Sequence, residues 1–167
     1  YSNVFTAYKR KKKSSSEDSD DFDPATEADL VAIKVLRQVR EDKYRIEAKI
    51  LTNLKDGPNI IKLLDIIHNP ATMTYNIVTE YVEECDFLGF IKTMTPQECC
   101  FYLYQLMRAI QYTHSHGIMH RDIKPLNILY DRTKKKLRLI DWGLAEFYHP
   151  GQRYNIHVAT RYFKPIE

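Results

Sequence analysis

The chain has 167 residues, 44% of them hydrophobic and 28% charged, with 25 Lys and Arg against 22 Asp and Glu. Such usage excludes a collagen-like, coiled-coil or wholly disordered chain, and a net charge of +3 is too small an excess to predict a nucleic-acid partner. No run of about 18 apolar residues and no charged-then-apolar leader occurs, so neither a membrane span nor a membrane partner is expected, and the chain reads as intracellular. Cys85, Cys99 and Cys100 are odd in number and lack C-x-x-C spacing, which argues against a disulfide framework or a zinc site.

Residues 2 to 8 alternate and carry β-branched and aromatic side chains, which predicts a strand. A polar stretch follows, from Lys9 to Lys13 through Ser14–Ser16 to Glu17, Asp18, Asp20, Asp21 and Asp23. It has too little apolar surface to order itself, so residues 9–29 are expected to form a disordered insertion. Leu30 to Leu36 is an apolar run broken only by Lys34, as in a strand buried on both faces. Residues 42 to 54 place Ile46, Ile50, Leu51 and Leu54 at helical spacing, with Gly57-Pro58 as the stop; this helix carries Glu47. Two strands are expected at Ile60 to Ile67 and Tyr75 to Glu80, turned by Asn69-Pro70.

From Thr95 the period changes. Thr95-Pro96-Gln97-Glu98 is a capping box with proline at the first helical position, opening a long helix that runs to His116 before Gly117. Short apolar strands are expected at Ile128 to Tyr130 and Leu137 to Ile140, with no further long helix.

Val31-Ala32-Ile33-Lys34 on a strand, Glu47 on the next helix, His120-Arg121-Asp122-Ile123-Lys124-Pro125-Leu126-Asn127 and Asp141-Trp142-Gly143 stand in the order of the protein-kinase signature motifs. On these residues the chain resembles the protein kinases. Gly117 to Asp122, Leu137 to Gly151 and Gly57 to Ile61 narrow the resemblance to the catalytic subunit of the casein kinase II family, with Trp142 as the telling residue because most kinases carry phenylalanine there.

The resemblance implies an α+β, two-lobed protein-kinase-like fold, incomplete at both ends, since the family's glycine-rich loop precedes Tyr1 and its late helices follow Glu167. Residues 1–81 would be the strand-rich lobe with the insertion, and 82–167 the partial helical lobe with the catalytic loop and activation segment. It further implies a serine/threonine kinase that transfers the ATP γ-phosphate, or that of GTP in its place, with Mg²⁺. Lys34 would hold the α- and β-phosphates with Glu47 as its partner, Asp122 would accept the substrate hydroxyl proton, and Lys124 would face the transferring phosphate. Asn127 and Asp141 would supply oxygen ligands to the metal. Val4, Ala32, Glu80, Val82, Leu129 and Ile140 match the nucleotide cleft, where Thr79 stands in place of a bulky phenylalanine.

Arg161 and Lys164 match residues that read acidic protein substrates, and His157 stands where the family has arginine. Ser14 and Ser15, with Glu17 and Asp18 at +3, match the family's own acceptor pattern. The family's regulatory subunit is an implied partner. Lys9 to Lys13 resemble a nuclear localisation patch, so the expected location is cytoplasmic, nuclear or both. The alternative reading is a non-catalytic remnant that binds nucleotide or a partner.

Overall fold

The computed structural model describes residues 2–9, 30–36, 41–72, 74–83 and 87–164. The expected disorder of the insertion, its acceptor serines and nearly all of the basic patch lie outside the described residues. The chain divides into two compact units, Tyr1–Gln38 with Leu64–Tyr81, and Val39–Leu63 with Val82–Glu167.

The first unit is one antiparallel sheet. Strands β1 (Ser2–Tyr8), β2 (Leu30–Leu36), β3 (Leu63–Asn69) and β4 (Thr74–Glu80) lie in the order β1-β2-β4-β3. Central position explains the apolar run of β2, whose Val31 and Leu36 are buried; its remaining residues are only half-buried, short of the two-sided burial expected. Both edge strands are largely exposed. In the register, Val4 faces Lys34, Lys34 faces Ile77, and Ala32 faces Thr79. Because side chains alternate along a strand, Val4, Ala32, Lys34, Ile77 and Thr79 share one face of the sheet.

The second unit begins with helix α1 (Glu41–Asn53). The sequence places residues 39–63 with the strand-rich half, whereas in the structure they group with residues 82–167, tied there by the backbone bonds of residues 59–61. Ile50, Leu51 and Leu54 are almost wholly buried, each side chain stabilising by roughly 1.5–3 kcal/mol. Residues 59–61 then fasten to strand β7 (Lys136–Leu139): Leu139 N–H donates to Asn59 O over 2.8 Å, and Ile61 N–H to Leu139 O over 3.2 Å. The run expected as one strand from Ile60 is therefore shared, its first residues bridging β7 and only Leu63–Asn69 joining the sheet. The buried side of α1 also differs from the periodic reading, since Ile46 is exposed while Tyr44, Glu47 and Ala48 are buried.

Helix α2 (Phe87–Thr93) was not foreseen, and α3 (Pro96–Ser115) follows it. Thr95 caps α3 as expected: its Oγ1 accepts from Glu98 N–H over 3.2 Å, and its own N–H donates to Glu98 Oε2 over 2.9 Å. Gly117 adopts φ 64° just past the helix end, a conformation that costs glycine little. Strand β5 (Ile118–Met119) pairs with β8 (Glu146–Phe147), and β6 (Ile128–Asp131) pairs with β7. Phe90, Tyr102 and Tyr130 form an aromatic cluster with ring centroids 5.0–6.1 Å apart, joining α2, α3 and β6. Cys99 and Cys100 are free thiols, and no helix among the described residues is long and apolar enough to cross a membrane.

Candidate active site

The segment from His120 to Asn127 leaves β5 and ends in a 3₁₀ turn at Pro125–Asn127. Its centre is Asp122, only 6% exposed. Oδ2 accepts from Lys124 Nζ over 2.8 Å and from Asn127 Nδ2 over 3.0 Å. Oδ1 accepts from the backbone N–H and the hydroxyl of Thr160, each over 3.2 Å. Lys124 Nζ in turn donates to Thr160 Oγ1 over 2.9 Å. One hydroxyl thus serves as donor to the carboxylate and acceptor from the ammonium, which closes a ring of three side chains.

Burial alone would raise the Asp122 pKa, but the Lys124 hydrogen bond and charge, with the bonds from Asn127 and Thr160, outweigh it and hold the carboxyl below the usual aspartate range. A carboxylate so stabilised carries its charge at neutral pH.

Three further contacts hold the loop. Asn127 Nδ2 donates to Asp122 O over 2.8 Å, and Arg121 Nε donates to Leu144 O over 2.7 Å. Arg121 also pairs with Glu146 at 2.8 Å. Arg121 has φ 66°, Asp141 φ 57° and Ala159 φ 66°, left-handed conformations that each cost a side-chain-bearing residue roughly 1–2 kcal/mol. All three flank the Asp122 cluster in sequence or through its hydrogen bonds.

Trp142 is 1% exposed, stands edge-on to His120 with ring centroids 4.6 Å apart, and donates from Nε1 to Leu139 O over 3.3 Å. It is a core residue that fixes the backbone next to Asp141.

Ile140 N–H donates to Asn127 O over 2.9 Å, which places Asp141 one residue from a backbone bond to Asn127. Asn127 donates from its amide nitrogen to the carbonyl and to the carboxylate of Asp122, and its side-chain oxygen is the remaining hard donor. Among the described residues no cluster of three or more His, Cys, Asp or Glu is arranged to hold a metal. Two oxygen-bearing side chains fit Mg²⁺, which keeps several waters and binds through few protein ligands plus phosphates.

Of the other expected residues, Glu47 is 5% exposed on α1, and Val82 is likewise buried. Leu129 on β6 and Ile140 are half-buried, as are Ala32, Lys34 and Glu80 in the first unit, where Val4 is 66% exposed. His157, Arg161 and Lys164 are exposed, with Arg161 next to Thr160. Thr160 itself was missed. Its role arises from a chain reversal 38 residues long, which no local spacing announces; its place beside Arg161 was the one available sign.

The family model for the protein kinase domain matches residues 24–167. The chain belongs to the protein kinase family. The kinase motifs in the sequence and the kinase-family match thus coincide over the Asp122 cluster, with ATP and a divalent metal as the cofactors that kinase domains use.

Proposed function

We propose that the protein is a serine/threonine kinase of the casein kinase II type, transferring the γ-phosphate of ATP, or of GTP, to Ser or Thr in acidic contexts. The observation that carries this reading is the Asp122 carboxylate tied at once to Lys124, Asn127 and Thr160.

Phosphoryl transfer has a loose transition state, so positioning and charge neutralisation supply most of the acceleration. Asp122 orients the substrate hydroxyl and takes its proton as the new P–O bond forms. Lys124, 2.8 Å from Asp122, meets the charge on the transferring group. Lys34 and Glu47 are assigned to the nucleotide phosphates by motif order, and Val4, Ala32, Glu80, Val82, Leu129 and Ile140 to the base. Asn127 and Asp141 would hold Mg²⁺, which neutralises phosphate charge when bound. Arg161, Lys164 and His157 offer the positive charge that an acidic substrate needs. Trp142 supports the family subtype, and with it the regulatory subunit as partner and a cytoplasmic or nuclear location.

The test is phosphate transfer from ATP-Mg²⁺ to an acidic Ser peptide by the chain and by Asp122→Asn. Transfer that vanishes in the variant is expected. Equal transfer by both would assign the activity to a contaminant.

A second reading, a non-catalytic binding protein, is favoured by one feature. Leu103, Tyr104 and Met107 on α3 are 51%, 62% and 60% exposed, an apolar stripe of the sort that partners cover. A folded chain that transfers no phosphate yet binds nucleotide or the regulatory subunit would support it.

A further inference from the structure

The α1 helix bears Glu47 and packs against β8. The contact is specific, because Lys49 Nζ lies 5.5 Å from the centroid of the Phe147 ring, within the range of a cation–π interaction. Lys49 is exposed while Glu47 is buried. Two residues apart on a helix means about 200° of rotation, so Lys49 reaches β8 without competing for whatever Glu47 binds.

Phe147 is fixed from several sides. It pairs with Ile118 in the β5–β8 ribbon, and its carbonyl accepts from the Tyr154 hydroxyl over 3.1 Å. The next residue, Tyr148, donates its N–H to Gly117 O over 2.7 Å. The preceding residue, Glu146, pairs with Arg121, whose neighbour is Asp122.

We propose that Lys49 and Phe147 are positioning residues: their cation–π contact fastens α1 to β8, and β8 is fastened through Glu146 to Arg121, so the helix bearing Glu47 is set by the loop bearing Asp122. Its bearing on catalysis rests on the kinase reading above, in which Glu47 and Asp122 serve the same transfer. Neither Lys49 nor Phe147 belongs to a kinase signature motif, and only the contact between them brings them to notice.

Hydrogen exchange of the full chain tests the coupling without requiring turnover. Lys49→Met keeps the alkyl stem and removes the charge; Phe147→Leu keeps an apolar side chain and removes the ring. Each should speed exchange in α1 by about two- to fivefold, as expected for an exposed cation–π contact, while α3 exchange stays at the parental rate. The double variant should be no faster than either single one, and Lys49→Arg should restore the parental rate. Glu146→Gln should also speed α1 exchange, but only where Lys49 is intact, since coupled residues depart from additivity.

Unchanged α1 exchange in both single variants would overturn the proposal. So would α1 and α3 speeding up together, which is general loss of stability, or a Glu146→Gln effect of equal size on the Lys49→Met background. A parent chain that transfers no phosphate would count against the proposed function alone, and exchange would still decide the coupling.

Discussion

The backbone N–H of Asp122 donates to Nδ1 of His120 over 3.3 Å, while His120 Nε2 lies 3.0 Å from the carbonyl oxygen of Ile140. The two bonds are compatible only with a neutral imidazole carrying its proton on Nε2. Protonation at Nδ1 would remove the acceptor that holds the Asp122 backbone.

Burial is the largest influence on His120 and pushes its pKa below the ordinary value of 6.5, outweighing the Ile140 carbonyl and the charges of Asp141 and Asp122, with Lys124 acting in the same direction as burial. An unfolded histidine takes its proton as pH falls through about 6.5, and the folded one does so only at lower pH. Stability is therefore full above that value and is lost as pH falls below it, by up to about 1.4 kcal/mol per pH unit. Urea midpoints at pH 7.5 and 5.5 check this: the drop should be smaller in His120→Phe, and an equal drop would show that other groups carry it.

Thr160→Val keeps the shape of the side chain but deprives both Asp122 and Lys124 of a hydrogen bond. Bonds to charged groups contribute about 1.5–3 kcal/mol, so kcat in the peptide assay should fall by roughly 10- to 100-fold. Thr160→Ser should recover most of it. Equal rates for Val and Thr would mean that the backbone N–H of residue 160 suffices.

A methyl group at Gly57 would sit 2.5 Å from Tyr112 Cδ1 and 2.8 Å from Ile60 Cδ1. Gly57→Ala should therefore destabilise by about 1–3 kcal/mol through overpacking, measured by chemical denaturation. Trimming the ring in Gly57→Ala/Tyr112→Leu should cost less than the separate costs added together, since the clash disappears.

The α3 cap loses stability in the same direction as His120 but in a lower pH window. Arg132 donates to Glu98 from Nε over 2.8 Å and from a second nitrogen over 2.9 Å; with the Thr95 bonds this lowers the Glu98 pKa to about 2. A depressed carboxylate supports the fold above its unfolded pKa and loses that support as pH falls through the folded one. The cap should thus be unaffected between pH 7.5 and 5.5, and Thr95→Ala should cost about 0.5–2 kcal/mol at either pH. A cost that halves at pH 5.5 would contradict this assignment.

Thr79 lies half-buried opposite Ala32 on the face that carries Lys34. Thr79→Phe should weaken a bulky nucleotide-competitive inhibitor by at least tenfold while leaving ATP binding within about threefold. Equal inhibitor affinity would show that the size of residue 79 does not limit what binds there.

What the sequence made legible was local. The Thr95 box, the Gly117 stop and the apolar run around Lys34 are signals contained within a few residues, and each stands where it was expected. The α2 helix, seven residues with a glycine inside, is too short for its period to show, and β5 and β8 have two residues each. Ile60 and Ile61 read as strand because apolar runs look alike whichever sheet they join; β7 captured them. In the candidate site, Asp122, Lys124 and Asn127 lie within six residues and could be read as a motif, whereas Thr160 arrives from far along the chain and could not.

Trp142 is the chain's single tryptophan, and it is packed against the imidazole that holds Asp122. Its emission is consequently an intrinsic reporter on one loop rather than an average over the molecule. A charged imidazole quenches indole fluorescence more strongly than a neutral one, so an acid titration followed by Trp142 emission would register the proton reaching His120. During refolding the same signal would mark when Trp142 enters the core, before or after the 160 region closes on Asp122.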